Sequence, residues 1–347
     1  MKKSIMATVS LALASILLAG CSASSKSSVA AAGVKDPDTI TIAWLPNQAG
    51  DDFKDARAEI DNEIAKATGL KVADKLTTDY AITIEAVASG QAQLAYVGAQ
   101  QYIEAHTKNS KVLPLVVNTG NSGTLSDALY YSRLCVTKAN EGQYKSGSSY
   151  SIDNIAGKKM AFVSNSSTSG FKVPSSTIVS NFSKQDKYKN LTQDDMLENG
   201  KFFSQVIFGG SHQLSAVNLL NGKADVAAFD DIDLSSYVTL TSGTENTPGA
   251  VYTVKNDATD PFKALAGQQF VVIKAMPVMN GPLMVNTGSL SQKTIDAIKT
   301  ALTSDEVTNN TKIFLPKDAK YKGMFNAPQK FVTVEDKWYD PIRELGK

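Results

Sequence analysis

The chain of 347 residues contains the same pair of short patterns twice, in the same order. Residues 43–47 (AWLPN) are matched by residues 161–165 (AFVSN), in each case an apolar strand that ends at an asparagine in a turn. Residues 89–95 (SGQAQLA) are matched by residues 221–227 (NGKADVA), the pattern of a helix end, a glycine stop and the start of a strand. The copies lie 118 and 132 residues apart, and the polar segment 183–201 has room for the extra residues. This repeat predicts two related α/β units.

The predicted fold is α/β, with two similar lobes that are each a mostly parallel sheet flanked by helices and that are joined by a hinge. Residues 37–135 and 272–347 are expected to form lobe 1, and residues 136–271 are expected to form lobe 2. The crossovers are expected near residues 133–137 and 270–275. With 42% apolar and 20% charged residues, the composition is typical of a globular protein with a substantial core.

The amino-terminal segment, residues 1–21, has the features of a targeting sequence. Two lysines precede an apolar run over about residues 6–18 that is too short to span a bilayer, and Leu-Ala-Gly follows directly before Cys21. These features resemble the lipobox of exported bacterial lipoproteins. The resemblance implies that the mature chain begins at Cys21, with an acylated sulfur that holds it outside the cytoplasmic membrane; an ordinary signal peptide with an incidental cysteine is the alternative. Residues 22–36, rich in serine and alanine, are expected to be a flexible tether.

Charge and the few cysteines and histidines exclude several classes of site. The formal net charge is +1, with both signs interspersed, so no nucleic acid partner is expected. Besides Cys21, the only cysteine is Cys135, and its apolar neighbours favour core packing over a reactive thiol. His106 and His212 are the only histidines, which leaves little for a zinc site, although a hard-metal site of oxygen ligands stays open. We expect no metal, no tightly bound cofactor and, by default, a monomer.

A hydroxyl-rich segment marks the start of one predicted helix. The apolar strand 159–163 is followed by residues 164–170 (SNSSTSG) and then by a helical pattern. A helix start presents unpaired backbone N–H groups and the positive end of the helix dipole, and the hydroxyls of Ser167, Thr168 and Ser169 can donate to an oxyanion there. The alternative is that Ser167 or Thr168 only caps the helix.

The repeat also places aromatic and imidazole side chains. Tyr80 stands ten residues before Gly90, and His212 stands ten before Gly222, so each is expected to open the helix that its glycine ends. Helix starts face the ligand crevice at the carboxyl ends of the strands in an open α/β sheet. Tyr80 and His212 are therefore expected to face one ligand from opposite walls. Tyr96 follows a strand of the first copy and is expected either to contact the ligand or to pack in the core.

Taken together, these segments resemble the ligand-binding motif of phosphonate-type solute-binding proteins of ABC transporters, which bind phosphonates, phosphite and related oxyanions. The resemblance covers nearly the whole mature chain, and the segments that carry it are 78–80 (TDY), 89–95, 167–170 (STSG), 209–212 (GGSH) and 221–228. It implies a type II periplasmic-binding-protein fold. It also implies a lipid-anchored receptor on the extracytoplasmic face that captures a small oxyanion and passes it to a permease and an ATPase, which are separate chains.

The resemblance assigns a role to each site residue. The hydroxyls of Ser167, Thr168 and Ser169 would hold the oxyanion, and Tyr80 and His212 would complete its coordination.

Acidic groups in aminoalkylphosphonate binders of this family neutralise the ammonium of the ligand. Asp230 and Asp231 lie near the first acidic position, slightly out of register, and residues 280–282 (NGP) stand where a later Asp-Pro is expected. Asp230 is included in the predicted site. Phosphate, phosphite, an alkylphosphonate and a sulfonate all remain open as ligands, as does recognition of an amino group.

Two other functions fit the same residue types. A hydrolase would use Ser167 or Ser169 as the nucleophile, His212 as the base and Asp230 as the orienting carboxylate, but the Gly-x-Ser-x-Gly motif is absent. A sensor or adhesin lipoprotein of the same fold would bind a protein partner instead. The expected protein is a transport receptor and not an enzyme.

Overall fold

The computed structural model describes residues 33–319 and 323–345. Cys21, the targeting segment and residues 22–32 of the tether lie outside the described residues. The strands are β1 Thr39–Trp44, β2 Lys71–Leu76, β3 Leu94–Tyr96, β4 Val112–Asn118, β5 Leu129–Thr137, β6 Lys145–Ser146, β7 Ser149–Tyr150, β8 Lys159–Phe162, β9 Gln205–Phe208, β10 Val226–Asp230, β11 Val238–Ser242, β12 Val251–Val254, β13 Gln269–Met279, β14 Pro282–Asn286, β15 Phe314–Leu315, β16 Phe325–Asn326 and β17 Phe331–Thr333. The helices are α1 Lys54–Thr68, α2 Tyr80–Ala88, α3 Ala99–Lys108, α4 Val173–Phe182, α5 His212–Leu220, α6 Gln292–Leu302, α7 Asp305–Thr308 and α8 Asp340–Arg343.

Helices α2 and α5 begin as the repeat predicted. Asp79 and Ser211 are their N-caps, and each side chain accepts a hydrogen bond from an amide of the first turn. Tyr80 and His212 are therefore the first residues of the two helices, which confirms their predicted positions.

Most strands lie in two large sheets that share one pattern. Within the described residues, one sheet has the order β17-β4-β14-β3-β1-β2, and the other has the order β11-β12-β13-β5-β10-β8-β9. Each contains a parallel triplet, β2-β1-β3 in the first and β9-β8-β10 in the second. An antiparallel strand continues each triplet, β14 beside β3 and β5 beside β10. Both sheets are thus mixed, with more antiparallel than parallel pairings, so the expectation of mostly parallel sheets is wrong in this detail. The shared order of the two sheets reflects the repeat in the sequence.

The chain changes sheets in short connections between strands. It leaves the six-stranded sheet after β4 and returns to it with β14, so the changes fall within residues 119–128 and 280–281. The crossovers expected near residues 133–137 and 270–275 instead lie inside β5 and β13, which pair with each other in the seven-stranded sheet. The division into lobes by residue range stays a prediction. The sheets to which the strands belong favour lobe boundaries within residues 119–128 and 280–281.

A cluster of buried apolar side chains packs against each of the two large sheets. Helices α1 and α6 pack together against the six-stranded sheet, and a further cluster lies under the seven-stranded sheet. Cys135 is fully buried in β5, and burial raises the pKa of its thiol, so the core-packing interpretation is confirmed. No helix in the described part of the chain is both long enough and apolar enough to cross a membrane.

A buried arginine fixes the loop that follows β1. The Arg57 guanidinium donates through Nη1 to the carbonyls of Gln48 and of Gly50 (3.1 Å for the latter), and its Nε donates to Asp74 Oδ2 at 3.1 Å. Asp74 Oδ1 also accepts a hydrogen bond from Trp44 Nε1 at 2.6 Å. The loop is thereby tied to both β1 and β2.

Candidate functional site

A cavity of about 560 Å³ is lined by residues that follow strands of both large sheets. Every residue of the predicted ligand site lines it. These residues are Tyr80, Tyr96, Ser167, Thr168, Ser169, His212 and Asp230. The structure brings them together, and their role in binding stays a prediction.

The hydroxyl-rich segment forms a capped turn at the start of α4. Ser167 Oγ accepts a hydrogen bond from Gly170 N at 3.0 Å and caps a π-helical turn, Thr168–Lys172, which continues into α4. Ser167 therefore caps a helix, as the alternative held, while it also lines the cavity. Ser167, Thr168 and Ser169 are all buried. Because amides of a first helical turn have no intrahelical acceptor, this turn can donate to an anion.

Thr168 joins the turn to α3, which follows β3 of the other sheet. Thr168 Oγ1 accepts a hydrogen bond from Gln100 N at 2.9 Å and donates to Gln101 Oε1 at 3.4 Å. Beside it, Ser166 Oγ donates to Glu104 Oε2 at 2.7 Å. The Thr168 hydroxyl thus bridges elements of the two sheets as well as facing the cavity.

Two side chains of β5 position Ser169 through hydrogen bonds. Tyr130 Oη donates to Ser169 Oγ at 3.0 Å, and Ser132 Oγ donates to the carbonyl of Ser169 at 2.6 Å. Ser169 Oγ also lies 3.4 Å from His212 Nε2. Tyr130 lines the cavity but was missed in the sequence, because its position depends on the pairing of β5 with β10.

His212 is a neutral donor. Its Nδ1 accepts a hydrogen bond from Asp230 N at 2.9 Å, so the neutral ring carries its hydrogen on Nε2. That hydrogen faces Ser169 Oγ and Asp230 Oδ2, each 3.4 Å from Nε2. Burial lowers the pKa of His212 to about 4, against the attraction of the Asp233 and Asp231 carboxylates. At neutral pH the ring can therefore donate to an anion without carrying a charge.

Tyr80 is positioned by Asn47. Tyr80 Oη accepts a hydrogen bond from Asn47 Nδ2 at 2.8 Å, and burial raises the pKa of the phenol, so its O–H remains a donor. Asn47 also accepts from His212 N at 3.3 Å and from Gln213 Nε2 at 3.3 Å. Asn47 is the asparagine that ends the first repeated pattern, and that position was the one signal that could have marked it as a site residue.

Tyr96 lines the cavity and also packs against the core, and its contact with a ligand stays a prediction. It lines the cavity, and its ring lies 5.5 Å from the ring of Phe325 and 6.1 Å from that of Trp44. Its Oη donates to Asn118 Oδ1 at 3.2 Å. Tyr96 therefore connects the cavity to the core of the six-stranded sheet.

One wall of the cavity is rich in acceptors. Asp230 and Asp233 are both buried; Asp233 N donates to Asp230 Oδ1 at 3.0 Å, and Gln48 Nε2 donates to Asp233 Oδ1 at 3.1 Å. Burial raises the pKa of Asp230 to about 7, and burial together with the Asp230 charge raises that of Asp233 well above its usual range. Among the described residues, Gln48 Oε1 is buried without a hydrogen-bond partner. Asp233 was not predicted, because it reaches the cavity through the turn that follows β10.

The same wall could accept a cation. Possible ligand atoms of His212, Asp230 and Asp233 lie within 4.8 Å of one another. A metal ion or an ammonium group would find three partners there. The expectation that no metal binds therefore stays a prediction.

The cavity offers an anion almost no positive charge. Of the described residues that line it, Lys255 alone is cationic, and its Nζ donates to the carbonyls of Ser235 and Ser236 at 3.1 Å each. An anion bound here would be held by neutral hydroxyl, imidazole and amide donors. Such a site suits a ligand that has to be released.

Comparison with known proteins agrees with this fold. The profile of the family described as "ABC transporter, phosphonate, periplasmic substrate-binding protein" matches residues 42–339. The phosphate-import protein PhnD of Mycolicibacterium smegmatis is 30% identical over 221 residues, which are 63% of this chain and 63% of that protein. The match therefore spans less than two thirds of that relative.

Solved structures show the fold. A binding protein component of an ABC phosphonate transporter from Pseudomonas aeruginosa has a TM-score of 0.62 at 19% identity, covering 90% of this chain and 86% of its own. PhnD1 of Prochlorococcus marinus, solved in complex with methylphosphonate, has a TM-score of 0.62 at 16% identity, covering 90% of this chain and 98% of its own. The expected two-lobed, type II periplasmic-binding-protein fold is thus confirmed. Because the family profile matches most of its length, the chain belongs to the family of periplasmic substrate-binding proteins of phosphonate ABC transporters.

Proposed function

We propose that this protein captures a small phosphorus oxyanion, such as phosphate, phosphite or an alkylphosphonate, between its two lobes and delivers it to an ABC permease. The observation that carries the proposal is the convergence of neutral donors from three helix starts on one cavity, namely the turn after β8 and the first residues of α2 and α5. A relative that imports phosphate and a structural neighbour that holds methylphosphonate support this ligand class.

In this proposal the ligand is held by contacts from both lobes, which stabilise the closed arrangement. The turn at Ser167 and the imidazole of His212 follow strands of the seven-stranded sheet, whereas Tyr80 follows β2 of the six-stranded sheet. A ligand that accepts hydrogen bonds from both sides favours the closed arrangement over the open one. Capture requires no bond to be made or broken.

The proposal also covers where the protein is located and which chains it works with. Acylation at Cys21 would anchor the chain on the extracytoplasmic face, with residues 22–36 as the tether. The permease and the ATPase would be separate chains, the receptor would be a monomer, and no cofactor would be needed.

Binding is tested on the soluble form that begins after Cys21. Thermal unfolding and calorimetry are measured with phosphate, phosphite, methylphosphonate, 2-aminoethylphosphonate, sulfate and taurine. A specific ligand at about 100 times its dissociation constant should raise the free energy of unfolding by about 2.7 kcal/mol. No response to any phosphorus oxyanion would contradict the proposal and direct the search to a protein partner, as for a sensor or adhesin.

Two serine variants locate the binding in the cavity. Ser169→Ala removes a buried hydroxyl that lines the cavity. Ser175→Ala removes a buried hydroxyl of α4 that donates to the carbonyl of Phe171 and does not line the cavity. Only Ser169→Ala should weaken binding. An equal effect of the two variants would place the ligand elsewhere.

The geometry does not favour the hydrolase alternative. In a catalytic triad the nucleophile and the carboxylate contact different nitrogens of the histidine. Here Ser169 Oγ and Asp230 Oδ2 both face Nε2 of His212, and Nδ1 accepts from a backbone amide. This arrangement suits donation to an anion better than activation of a serine.

A further inference from the structure

We propose that four exposed apolar side chains beside the cleft form two equivalent docking points, one on each lobe, for a membrane permease built of two identical chains. Leu76 and Ile82 form one point, and Phe208 and Leu214 form the other; we refer to them as the apolar pairs. The inference rests on the proposed function, because the partner is the permease that receives the ligand. It adds which surface of the receptor this partner contacts and what symmetry the partner has.

The apolar pairs occupy equivalent positions in the repeat. Leu76 is the last residue of β2, and Phe208 is the last residue of β9. Ile82 and Leu214 are each the third residue of the helix that follows, α2 or α5. Each residue stands 132 positions before its equivalent, which is also the spacing of the second repeated pattern. The two lobes therefore carry the same apolar feature at the same place.

All four side chains are exposed to an extent that the fold does not require. The exposed fractions are 48% for Leu76, 46% for Ile82, 42% for Phe208 and 43% for Leu214. A single exposed apolar side chain needs no explanation, since much of any protein surface is apolar. The same pair exposed twice, at matching positions of two lobes, is better explained by contact with a partner.

The apolar pairs flank the side of the cleft that lies away from the crossovers. Edge strands β2 and β9 run parallel to β1 and β8, so their carboxyl ends lie at the sheet edges that face the cavity. Two strands separate β2 from β14, and two separate β9 from β5, and β14 and β5 adjoin the crossovers. A cleft that closes by rotation at the crossovers opens widest on the opposite side. A partner that receives the ligand must cover this side.

The symmetry of the partner follows from that of the receptor. Both lobes turn the carboxyl ends of the same strand triplet towards one cavity. Two copies of one unit that meet through the same surface are related by an approximate two-fold rotation. The same axis then relates the two apolar pairs. A partner that presents one apolar socket on each of two identical chains fits both pairs at once.

The size of the apolar pairs fits a transient contact. A large side chain offers at most about 250 Å² when fully exposed, so four that are less than half exposed provide at most about 500 Å². A stable complex buries about 800 Å² of each partner. A second copy of the receptor would need such an interface and is therefore not the expected occupant. Two weak contacts act together only when the hinge sets the distance that the partner requires, which favours one arrangement of the lobes.

Photo-crosslinking identifies the occupant. The residue p-benzoylphenylalanine replaces Ile82 or Leu214 in the full-length protein in its native cells, and the products formed on irradiation are identified by mass spectrometry. Both positions should crosslink to the same segment of one permease chain. The control position is Leu240, which is 37% exposed on β11, at the edge of the seven-stranded sheet opposite β9. It should give no such product.

Uptake of the ligand measures whether the contact is used. In cells without the wild-type receptor, Ile82→Ser and Leu214→Ser should each lower uptake by about 5- to 30-fold, the effect of losing an anchor residue. The two factors should be similar, because the positions are equivalent. Calorimetry should show wild-type ligand affinity, since neither side chain lines the cavity. Leu113→Ser on β4 and Leu240→Ser, matched controls that are each 37% exposed, should transport as the wild type does.

The two measurements also separate failure of the inference from failure of the proposed function. Crosslinks to two different proteins, to a second receptor or to lipid would overturn the inference, as would wild-type uptake by an Ile82→Ser, Leu214→Ser double variant. Ligand binding and wild-type uptake would then leave the proposed function standing. Absence of oxyanion binding and of uptake by the wild type would overturn both. Crosslinking does not depend on the serine variants, so their misfolding would not remove the test.

Discussion

His212 illustrates how a single residue obtains its role from the backbone beside it. A backbone amide occupies Nδ1, the hydrogen is directed to Nε2, and burial keeps the ring neutral. Ser169 and Tyr80 are likewise neutral donors whose partners orient them. At this scale the proposed site offers a ligand oriented, uncharged donors and not the charge of a cation.

The lowered pKa of His212 predicts a pH dependence of stability. Between pH 6.5 and about 4 the unfolded chain binds a proton that the native ring does not, so this residue's contribution to the free energy of unfolding decreases as the pH falls through that window. His212→Asn retains an acceptor and a donor but does not titrate. Urea unfolding across this window should show the wild type losing stability relative to the variant. Parallel curves would contradict the assignment.

Thr168 gives a second prediction at this scale. Thr168→Ala should weaken oxyanion binding by about 1–3 kcal/mol, because Thr168 lines the cavity in which we propose that the ligand binds, and its hydroxyl also ties its turn to Gln100. Thr168→Ser keeps the hydroxyl and should bind nearly as the wild type does. Calorimetry measures both, and an unchanged affinity of Thr168→Ala would remove this residue from the site.

At the scale of elements, the site depends on where helices begin and how closely they approach. The start of α3 lies against the turn at Thr168, and Gly98 makes this approach possible. A Cβ at Gly98 would lie 2.7 Å from Thr168 Oγ1 and 2.5 Å from Gln101 Oε1. Both distances are shorter than van der Waals contact. The Gln101 side chain belongs to α3 and can rotate aside, but Thr168 Oγ1 lies on the turn, so a side chain here would strain the approach of α3 to the turn.

Gly98→Ala should therefore reduce ligand affinity by about tenfold and lower the stability by about 1–3 kcal/mol. Gly142→Ala is the control, because a Cβ there meets nothing within 4 Å. Calorimetry measures the ligand affinity of both variants, and thermal unfolding measures their stability. Equal ligand affinity of the two variants would show that the approach of α3 to the turn is not important for binding.

Elements also explain what the sequence could and could not predict. Tyr80 and His212 were placed correctly, because local caps and glycine stops determine where α2 and α5 begin and end. Tyr130 and Asp233 could not be found in this way. The first reaches the cavity only through the pairing of β5 with β10, and the second through the turn that follows β10. Strand pairing and loop geometry are tertiary properties that spacing along the chain does not encode.

At the scale of the whole molecule, the repeated units were predictable, but the connections between them were not. The two parallel triplets have the same order, as the repeated patterns implied. The changes of sheet lie outside β5 and β13, because these two long strands pair along their length in one sheet. Hydrogen bonds such as that of Ser166 with Glu104 join an element that follows one sheet to an element that follows the other.

Ser166→Ala should weaken ligand binding although Ser166 does not line the cavity. Loss of one hydrogen bond between the lobes should raise the dissociation constant by about 2- to 10-fold, mainly through faster release. Ser180→Ala removes an exposed serine of α4 and is the control. Stopped-flow measurements of release give the comparison, and equal rates would mean that this contact does not affect closure.

The tie between Trp44 and Asp74 has an optical consequence. Trp44 is buried, its indole N–H is fixed, and its ring lies 6.1 Å from that of Tyr96, which lines the cavity. The chain contains one other tryptophan, Trp338. In a Trp338→Phe background, all tryptophan emission would come from one indole that is a single side chain away from the ligand. The receptor thus contains its own fluorophore for following the arrival and departure of its ligand in real time, without any attached dye.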